Sequence, residues 1–312
     1  MRDNSASSRG SRSARRGKRR PDDDEPLFAK RDRHRRALPS LEAFDATDGL
    51  PEGDRWSTWD QPVAGERGPE PYPSWLVTEL AAVDTELGIL KTGKEADVFL
   101  LRRGLPGTAR SCLLAAKRYR NAEHRMFQRD SGYLEGRRVR ESRTSRAMAG
   151  RTRFGRQALA GQWAMAEFSA LAQLYQTGVP VPYPVQVTGT EVLLEFVGDP
   201  DGTAAPRLAE TRPPAGELAG LWDQLVQAVV TLARNGLAHG DLSAFNLLVH
   251  QGRLIMIDLP QVVDVIANPE GAMYLERDAA NVGAWFAARG LAGVTPEPEE
   301  LPALLRYEAR LD

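Results

Sequence analysis

Three polar residues in the C-terminal half of the chain have the types and spacing to act on a phosphate group. Asp241 and Asn246 lie five residues apart in HGDLSAFN (239–246), and Asp258 lies at the end of the next expected strand. Phosphoryl transfer needs a carboxylate near the attacking hydroxyl, and a carboxamide and a second carboxylate that hold Mg²⁺ against the phosphates. The set therefore indicates a phosphoryl-transfer site, and the alternative is an aspartate at a strand end that satisfies only local turns.

A lysine on an apolar strand is the next candidate. Lys117 lies in LLAAKRY (113–119), and a lysine on a half-buried strand usually needs a partner for its charge. Nucleotide phosphate or a carboxylate would serve, and Glu167, among apolar residues of an expected helix, is the candidate carboxylate. Each residue alone is typical of an ordinary surface charge. Together, upstream of the Asp/Asn/Asp set, they fit the lysine–glutamate pair of a kinase-like nucleotide site.

Two further segments have the composition of nucleotide contacts. Thr92, Gly93 and Lys94 form a turn between two expected strands, where lysine or backbone N–H groups can face phosphates. The G-x-x-x-x-G-K spacing that ends at Lys94 is not a P-loop, because Glu95 stands where serine or threonine is needed and a strand follows. In LLEFVG (193–198), backbone groups between apolar walls would suit an adenine ring, although a core strand has the same composition.

The elements that must position these residues follow from hydrophobic periodicity and turn residues. Strands are predicted at Leu87–Thr92, Asp97–Arg102, Cys112–Tyr119, Val185–Val187, Val192–Val197, Asn246–His250 and Arg253–Leu259. Helices are predicted at Leu76–Leu87, Gln157–Gln176, Ala215–Asn235, Pro269–Arg289 and Glu297–Arg310. This order predicts a strand-rich lobe followed by a helical lobe, with a cleft between them.

The composition excludes several classes of protein. The chain has 312 residues, of which 42% are hydrophobic and 27% charged, and this excludes a collagen or a chain disordered throughout. A single cysteine, Cys112, excludes an internal disulfide, and with only four scattered histidines it also excludes a Cys/His zinc cage. No apolar run approaches the roughly 18 residues of a membrane helix. We therefore expect a cytoplasmic protein that does not bind a membrane.

The net charge of −1 conceals two basic segments. Residues 1–36 hold 13 Lys/Arg against 6 Asp/Glu and residues 120–156 hold 11 against 4, whereas residues 157–312 hold 8 against 19. Basic segments often bind nucleic acid or other polyanions, and the alternative is a solvated tail and a mobile loop. Residues 1–73 are predicted to form a disordered tail, basic at first and then rich in proline and glycine, because their apolar residues are too sparse to bury a core.

Over roughly residues 75–290 the chain resembles the RIO kinases, a family of atypical protein kinases. The motifs that support the resemblance are KTGKEADVF (91–99), AAKRYR (115–120), WAMAEFSAL (163–171), LLEFVG (193–198), APRL (205–208), HGDLSAFNLLV (239–249), LIMIDLPQVV (254–263) and LERDAANVGAWF (275–286). The TGKE turn, the I-D-x-x-Q run and the R-D-x-x-N-V helix separate this family from other kinase-like folds. The similarity is closer to the first RIO subfamily and its bacterial relatives.

The resemblance implies an α+β, two-lobed protein-kinase-like fold of the RIO type at residues 74–312. The N-lobe, with a small antiparallel sheet, would span about 74–197 and include a flexible Arg-rich insert at 121–156. The C-lobe, reduced and mostly helical, would span about 198–312.

The resemblance also implies a role for each candidate residue. Asp241 would be the catalytic aspartate, and Asn246 and Asp258 would be the metal ligands. Lys117 would contact the phosphates and pair with Glu167. The remaining nucleotide contacts would come from Glu195 and Val197, whose backbone would hold adenine, and from the turn at Thr92, Gly93 and Lys94. The expected cofactors are ATP and Mg²⁺, with Mn²⁺ as an alternative ion.

The activity that the resemblance implies is that of an ATP- and Mg²⁺-dependent serine/threonine protein kinase, which phosphorylates itself or an unidentified protein acceptor. In RIO proteins the aspartate at position 258 can itself take the phosphoryl group, so the enzyme would act mainly as an ATPase through an aspartyl phosphate. One alternative is a nucleotide-gated assembly factor that binds RNA or ribosomal particles through segments 1–36 and 120–156. Another is a small-molecule phosphotransferase resembling the aminoglycoside kinases, which share H-G-D-L-x-x-x-N but lack the TGKE turn.

Overall fold

The structure, a computed structural model, describes residues 54–120, 153–259 and 262–311. Within these ranges the chain forms ten strands and four α-helices, divided between a sheet-rich N-lobe and a mostly helical C-lobe. None of the helices in the described part combines the length and apolarity that a bilayer crossing needs.

The N-lobe is built on one antiparallel sheet of six strands in the order β1-β2-β3-β4-β6-β5. Its strands are β1 (Arg55–Trp56), β2 (Val83–Thr92), β3 (Ala96–Gly104), β4 (Ser111–Tyr119), β5 (Pro184–Thr188) and β6 (Glu191–Glu195). Strands β3 and β4 pair without interruption from Ala96 opposite Tyr119 to Gly104 opposite Ser111. This unbroken ladder fixes the register at the centre of the sheet, where Lys117 lies.

Residues 54–73, which we call the strap, connect the two edges of this sheet. The strap includes β1, which pairs with β2, and the N–H of Gly68 donates to the Val185 carbonyl of β5 at 3.0 Å. Trp59 of the strap is buried and packs edge-on against Tyr72. The strap therefore covers the first residues of β2 and part of β5, which keeps the backbone groups there from pairing with other chains.

The strap corrects the expected boundary of the folded domain. The sequence predicts a tail over residues 1–73, but residues from 54 onward lie on the sheet. The strap has few apolar residues because the sheet supplies most of the core, and Trp59 needs only to cover it. Residues 1–53 lie outside the described residues.

The segment before β2 also differs from its prediction. A helix at Leu76–Leu87 is wrong, because two tight turns precede a strand that starts at Val83. The helix-like spacing arises because the chain buries Leu76 and Val77 after the first turn and Ala82 after the second, whereas Leu80 between them is 73% exposed.

One long helix, α1 (Arg153–Gln176), packs on the sheet. It is rich in alanine, leucine and glutamine, which favour helix, and it ends where Gly178 adopts a φ of 82°. Ala160, Ala164 and Phe168 are buried at intervals of four residues, which places Glu167 on the same covered side. The predicted insert at 121–156 lies outside the described residues except for its last four, which begin this helix.

The C-lobe packs its helices around short antiparallel strand pairs. Its elements are α2 (Ala215–Arg234), β7 (Leu237–Ala238), β8 (Leu247–His250), β9 (Arg253–Met256), β10 (Val263–Asp264), α3 (Gly271–Ala287) and α4 (Leu301–Glu308). Strands β8 and β9 form the predicted hairpin, in which Gln251 and Gly252 both have positive φ, as a two-residue turn of type I′ requires. At the centre, the buried Trp222 contacts Phe286 and donates to the Pro296 carbonyl at 2.9 Å.

Candidate active site

Lys117 is held at the centre of the N-lobe sheet. It opposes Val98 on β3 and Val192 on β6, so strands on both sides fix its position. Its side chain is 13% exposed, and its Nζ lies 2.6 Å from Oε1 of Glu167 and 3.2 Å from Oδ1 of Asp258. Three candidates that lie far apart in the sequence therefore meet at one ammonium group.

Glu167 uses both carboxylate oxygens in this contact. Its side chain is 2% exposed; Oε1 accepts a hydrogen bond from Lys117 and Oε2 accepts one from the hydroxyl of Tyr119. Tyr119 is a site residue that our sequence reasoning missed, although it follows Lys117 by two residues and so lies on the same face of β4. Burial and the neighbouring Glu167 raise the pKa of Tyr119, so the phenol stays protonated as a donor.

The charges of Lys117 and Asp258 stabilise each other. Burial opposes the charge on Lys117, but Glu167 and Asp258 outweigh it and hold the pKa of the lysine above its ordinary value. Burial likewise opposes the charge on Asp258, but Lys117 and Lys91 hold the pKa of that carboxyl below its ordinary value. Both groups are therefore charged at neutral pH.

The segment from His239 to Asn246 is fixed by its own hydrogen bonds. Nδ1 of His239 accepts the N–H of Asp241 at 3.3 Å, so its Nε2 carries the proton and donates to the Ile257 carbonyl at 3.0 Å. Nδ2 of Asn246 donates to the Asp241 carbonyl at 2.8 Å, which leaves Oδ1 as the acceptor of the amide. The Asp241 side chain itself is exposed.

Asn246 and Asp258 are brought side by side by the β8–β9 hairpin. The N–H of Ile257 donates to the Asn246 carbonyl at 2.9 Å, directly before Asp258. Asp258 has a φ of 64°, a left-handed conformation that aspartate tolerates better than most residues, and its side chain is 38% exposed. A carboxylate and an amide oxygen are ligands that Mg²⁺ accepts.

Helix α3 anchors the Asp241 segment from below. Oδ2 and Oδ1 of the buried Asp278 accept the N–H groups of Gly240 at 2.7 Å and Leu242 at 2.9 Å, on either side of Asp241. Arg277 donates to the Gly240 carbonyl. Burial raises the pKa of Asp278, although the two N–H groups oppose this. Our sequence reasoning assigned no role to Asp278. A carboxylate on the apolar face of an expected helix was nevertheless a signal that it accepts hydrogen bonds from buried polar groups.

The other predicted nucleotide contacts lie in the β2–β3 turn, at the end of β6 and just after it. Thr92 and Lys94 are exposed in the β2–β3 turn, and Gly93 donates its N–H to the Ala96 carbonyl at 3.0 Å. The Glu195 carboxylate accepts the N–H of Tyr183 at 2.9 Å, and the N–H of Glu195 donates to the Tyr183 carbonyl at 2.8 Å, so this N–H is not available to a ligand. The Val197 carbonyl accepts the N–H of Ala205 at 3.0 Å, which leaves its own N–H for a ligand.

Lys91, which the sequence did not single out, reaches the cluster. Its Nζ lies 3.8 Å from Oδ2 of Asp258, whereas Lys117 hydrogen-bonds to Oδ1. In the described part of the chain, no group of three or more His, Cys, Asp or Glu side chains could hold a metal by itself. A metal at Asn246 and Asp258 would therefore need phosphate oxygens or water as further ligands.

A curled sheet with a lysine–glutamate pair, above a helical lobe with an Asp/Asn/Asp set, defines a two-lobed protein-kinase-like fold. The RIO domain family model matches residues 113–299. This chain belongs to the RIO domain family, and the predicted family and fold class are confirmed.

Named relatives agree with the family match. The chain is 35% identical over 209 residues to the RIO-type serine/threonine-protein kinase Rio1 of Haloferax volcanii, a match that covers 67% of this chain and 65% of that protein. It is 30% identical over 205 residues to the serine/threonine-protein kinase RIO1 of Caenorhabditis elegans, covering 65% of this chain and 37% of the relative. It is also 31% identical over 138 residues to the human serine/threonine-protein kinase RIO3, covering 44% of this chain and 26% of the relative. The chain thus spans less than two thirds of each of these proteins.

Proposed function

We propose that this chain is an ATP- and Mg²⁺-dependent RIO-type serine/threonine protein kinase that phosphorylates itself or a protein acceptor. The observation that carries the proposal is the convergence of Lys117, Glu167 and Asp258, with the 2.6 Å and 3.2 Å contacts at one ammonium group. A lysine fixed by a buried glutamate beside a metal-ligand aspartate is what a nucleotide phosphate site requires. The names of the relatives support the same activity.

The residues present fit a metal–nucleotide complex. Bound Mg²⁺ would neutralise charge on the phosphates, and Asn246 and Asp258 would hold it. Lys117 would bind phosphate oxygens in an orientation that Glu167 fixes. The N–H of Val197 would hold adenine, and the exposed carboxylate of Asp241 would accept the proton of the attacking hydroxyl. Mn²⁺ accepts the same oxygen ligands and would be an alternative ion.

A second activity, ATP hydrolysis through Asp258, is favoured by the accessibility of that carboxylate. Asp258 is anionic between two lysines and 38% exposed. One oxygen would attack the terminal phosphorus of ATP, so that an Oδ–P bond forms while the bond to ADP breaks. Water would then cleave the aspartyl phosphate, release inorganic phosphate and regenerate the carboxylate.

The two activities differ in the chemistry of the labelled product. Wild type, Asp241→Asn and Asp258→Asn would be incubated with γ-labelled ATP and Mg²⁺, and the labelled protein treated with acid and with hydroxylamine. A label that resists both treatments is a serine or threonine phosphate and supports the kinase. A hydroxylamine-labile label that Asp258→Asn lacks supports the ATPase. If wild type yields neither labelled protein nor ADP above the Asp241→Asn level, the proposed function is wrong.

Three expectations from the sequence remain predictions. Binding of RNA or ribosomal particles would use residues 1–36 and 120–156, which lie outside the described residues except for Arg120 and the start of α1. If these basic segments bind RNA, the affinity for RNA should fall steeply as the salt concentration rises. A small-molecule phosphotransferase would turn over a hydroxylated small molecule far faster than it labels itself. A cytoplasmic location would be tested by fractionation.

A further inference from the structure

Lys91 lies in the same cross-strand row as the site lysine. On β3, Val98 is opposed by Lys91 of β2 on one side and by Lys117 of β4 on the other. Residues directly opposite each other in an antiparallel sheet project to the same face. Lys91, Val98 and Lys117 therefore share one face, and both ammonium groups reach the same carboxylate.

A bulge in β2 produces this placement. Ile89 opposes Phe99, so in a regular ladder Leu90 would oppose Val98; instead the register shifts between Ile89 and Lys91. A one-residue shift exchanges the faces of the side chains, and bulges near active sites commonly redirect a side chain. The bulge thus replaces an apolar side chain by an ammonium group in the row that contains Lys117.

The two lysines hold Asp258 with different strength. Lys117 is 13% exposed, is fixed by Glu167 and lies 3.2 Å from Oδ1. Lys91 is 45% exposed and lies 3.8 Å from Oδ2, beyond hydrogen-bond distance. An exposed pair at this separation contributes little energy, so Lys91 can leave Asp258 at small cost when a metal binds that carboxylate. Lys117 stays where Glu167 holds it.

We propose that Lys91 is a further phosphate-binding lysine of this site, which turns from Asp258 to the terminal phosphate of ATP. The inference rests on the proposed nucleotide site and adds to it a residue outside the TGKE turn. Lys91 approaches Oδ2 of Asp258, whereas Lys117 hydrogen-bonds to Oδ1, so the two ammonium groups lie at different oxygens of a carboxylate that would help to hold the metal. The terminal phosphate is absent from ADP, so Lys91 would distinguish ATP from ADP.

The role of Lys91 is tested by measuring nucleotide binding to wild type, Lys91→Gln and Lys91→Arg at equilibrium. The nucleotides are ADP and the non-hydrolysable β,γ-imido analogue of ATP, each with Mg²⁺. Arg102→Gln is a matched control, because it removes one exposed positive charge from the neighbouring strand β3. Calorimetric dissociation constants give a readout that does not depend on turnover. The thermal midpoint without ligand verifies that each variant is folded.

Lys91→Gln is expected to raise the dissociation constant of the ATP analogue by about three- to tenfold. The dissociation constant of ADP should stay within about twofold of the wild-type value. Lys91→Arg should retain the preference for the ATP analogue, and Arg102→Gln should not change it. If wild type binds nucleotide and Lys91→Gln keeps the wild-type ratio of the two affinities, the inference is wrong while the proposed function stands. If wild type binds neither nucleotide, both are wrong.

Discussion

Replacing Glu167 by glutamine removes the charge that fixes Lys117 and changes little else in shape. Removing one partner of a fully buried ion pair costs about 3–5 kcal/mol, because the other charge is left unpaired. Here the loss is smaller, since Lys117 keeps Asp258 at 3.2 Å and the amide oxygen still accepts one hydrogen bond. We therefore expect Glu167→Gln to lower the free energy of unfolding by about 2 kcal/mol, or about 30-fold in the equilibrium constant.

Urea denaturation of wild type and Glu167→Gln measures this loss. Glu86→Gln is the control: Glu86 also forms an ion pair, with Arg118 at 2.7 Å, but its side chain is 36% exposed, so the cost should stay below about 1 kcal/mol. The double variant Lys117→Met with Glu167→Gln should lose less than the two single losses added together, because neither charge is then left alone. If Glu167→Gln equals Glu86→Gln, or if the losses add, the buried pair does not hold Lys117 and the reasoning fails.

Three other predictions concern the supports of the site. In Asp278→Asn, the amide can accept a hydrogen bond well from only one of the two N–H groups, of Gly240 and Leu242. The substitution should therefore speed amide hydrogen exchange at both residues and lower turnover about tenfold, and unchanged exchange would contradict this role. Arg55 and Arg118 outweigh burial and hold the pKa of Glu191 below its ordinary 4.5, so its stabilisation is complete above that pH and is lost as the pH falls through the lower folded value. Glu191→Gln should therefore be less stable than wild type at neutral pH and lose less stability on acidification, and parallel pH profiles would oppose this. A chain that starts at residue 74 lacks the buried Trp59, so its free energy of unfolding in urea should be at least about 3 kcal/mol lower than that of a chain that starts at residue 54. Equal midpoints of the two urea transitions would mean that the strap adds no stability.

The residues that meet at the site could be chosen from the sequence because their types are unusual for their surroundings. Lys117 interrupts an apolar strand, Glu167 interrupts the apolar side of α1, and the spacing of Asp241, Asn246 and Asp258 matches a loop and a hairpin. Regular periodicity predicted β3, β4 and α2 closely. Where chemistry and periodicity agree, one sequence is enough to place a residue on its element.

The missed features depend on contacts between distant segments. The bulge in β2 breaks the alternation of side chains, so the side of the sheet on which Lys91 lies could not be predicted from the sequence. Lys94 was found because it lies in a recognisable turn. The buried pair of Asp84 and Arg103, 2.7 Å apart with both side chains fully covered, makes their strands resemble exposed ones in the sequence. The strap depends on a sheet edge that forms more than 100 residues later in the chain, at β5. Local pattern does not contain this information.

Whether Asp241 accepts the proton of the attacking hydroxyl is decided by comparing wild type and Asp241→Asn. Nucleotide binding is measured first, and then the transfer of labelled phosphate from γ-labelled ATP. Asp241 contributes its backbone N–H and carbonyl to the segment, and these remain in asparagine. We expect equal binding and a loss of transfer or hydrolysis of at least about 100-fold, because only the proton-accepting carboxylate is gone. Equal rates for the two proteins would contradict it and would place the chemistry, if any, away from this site.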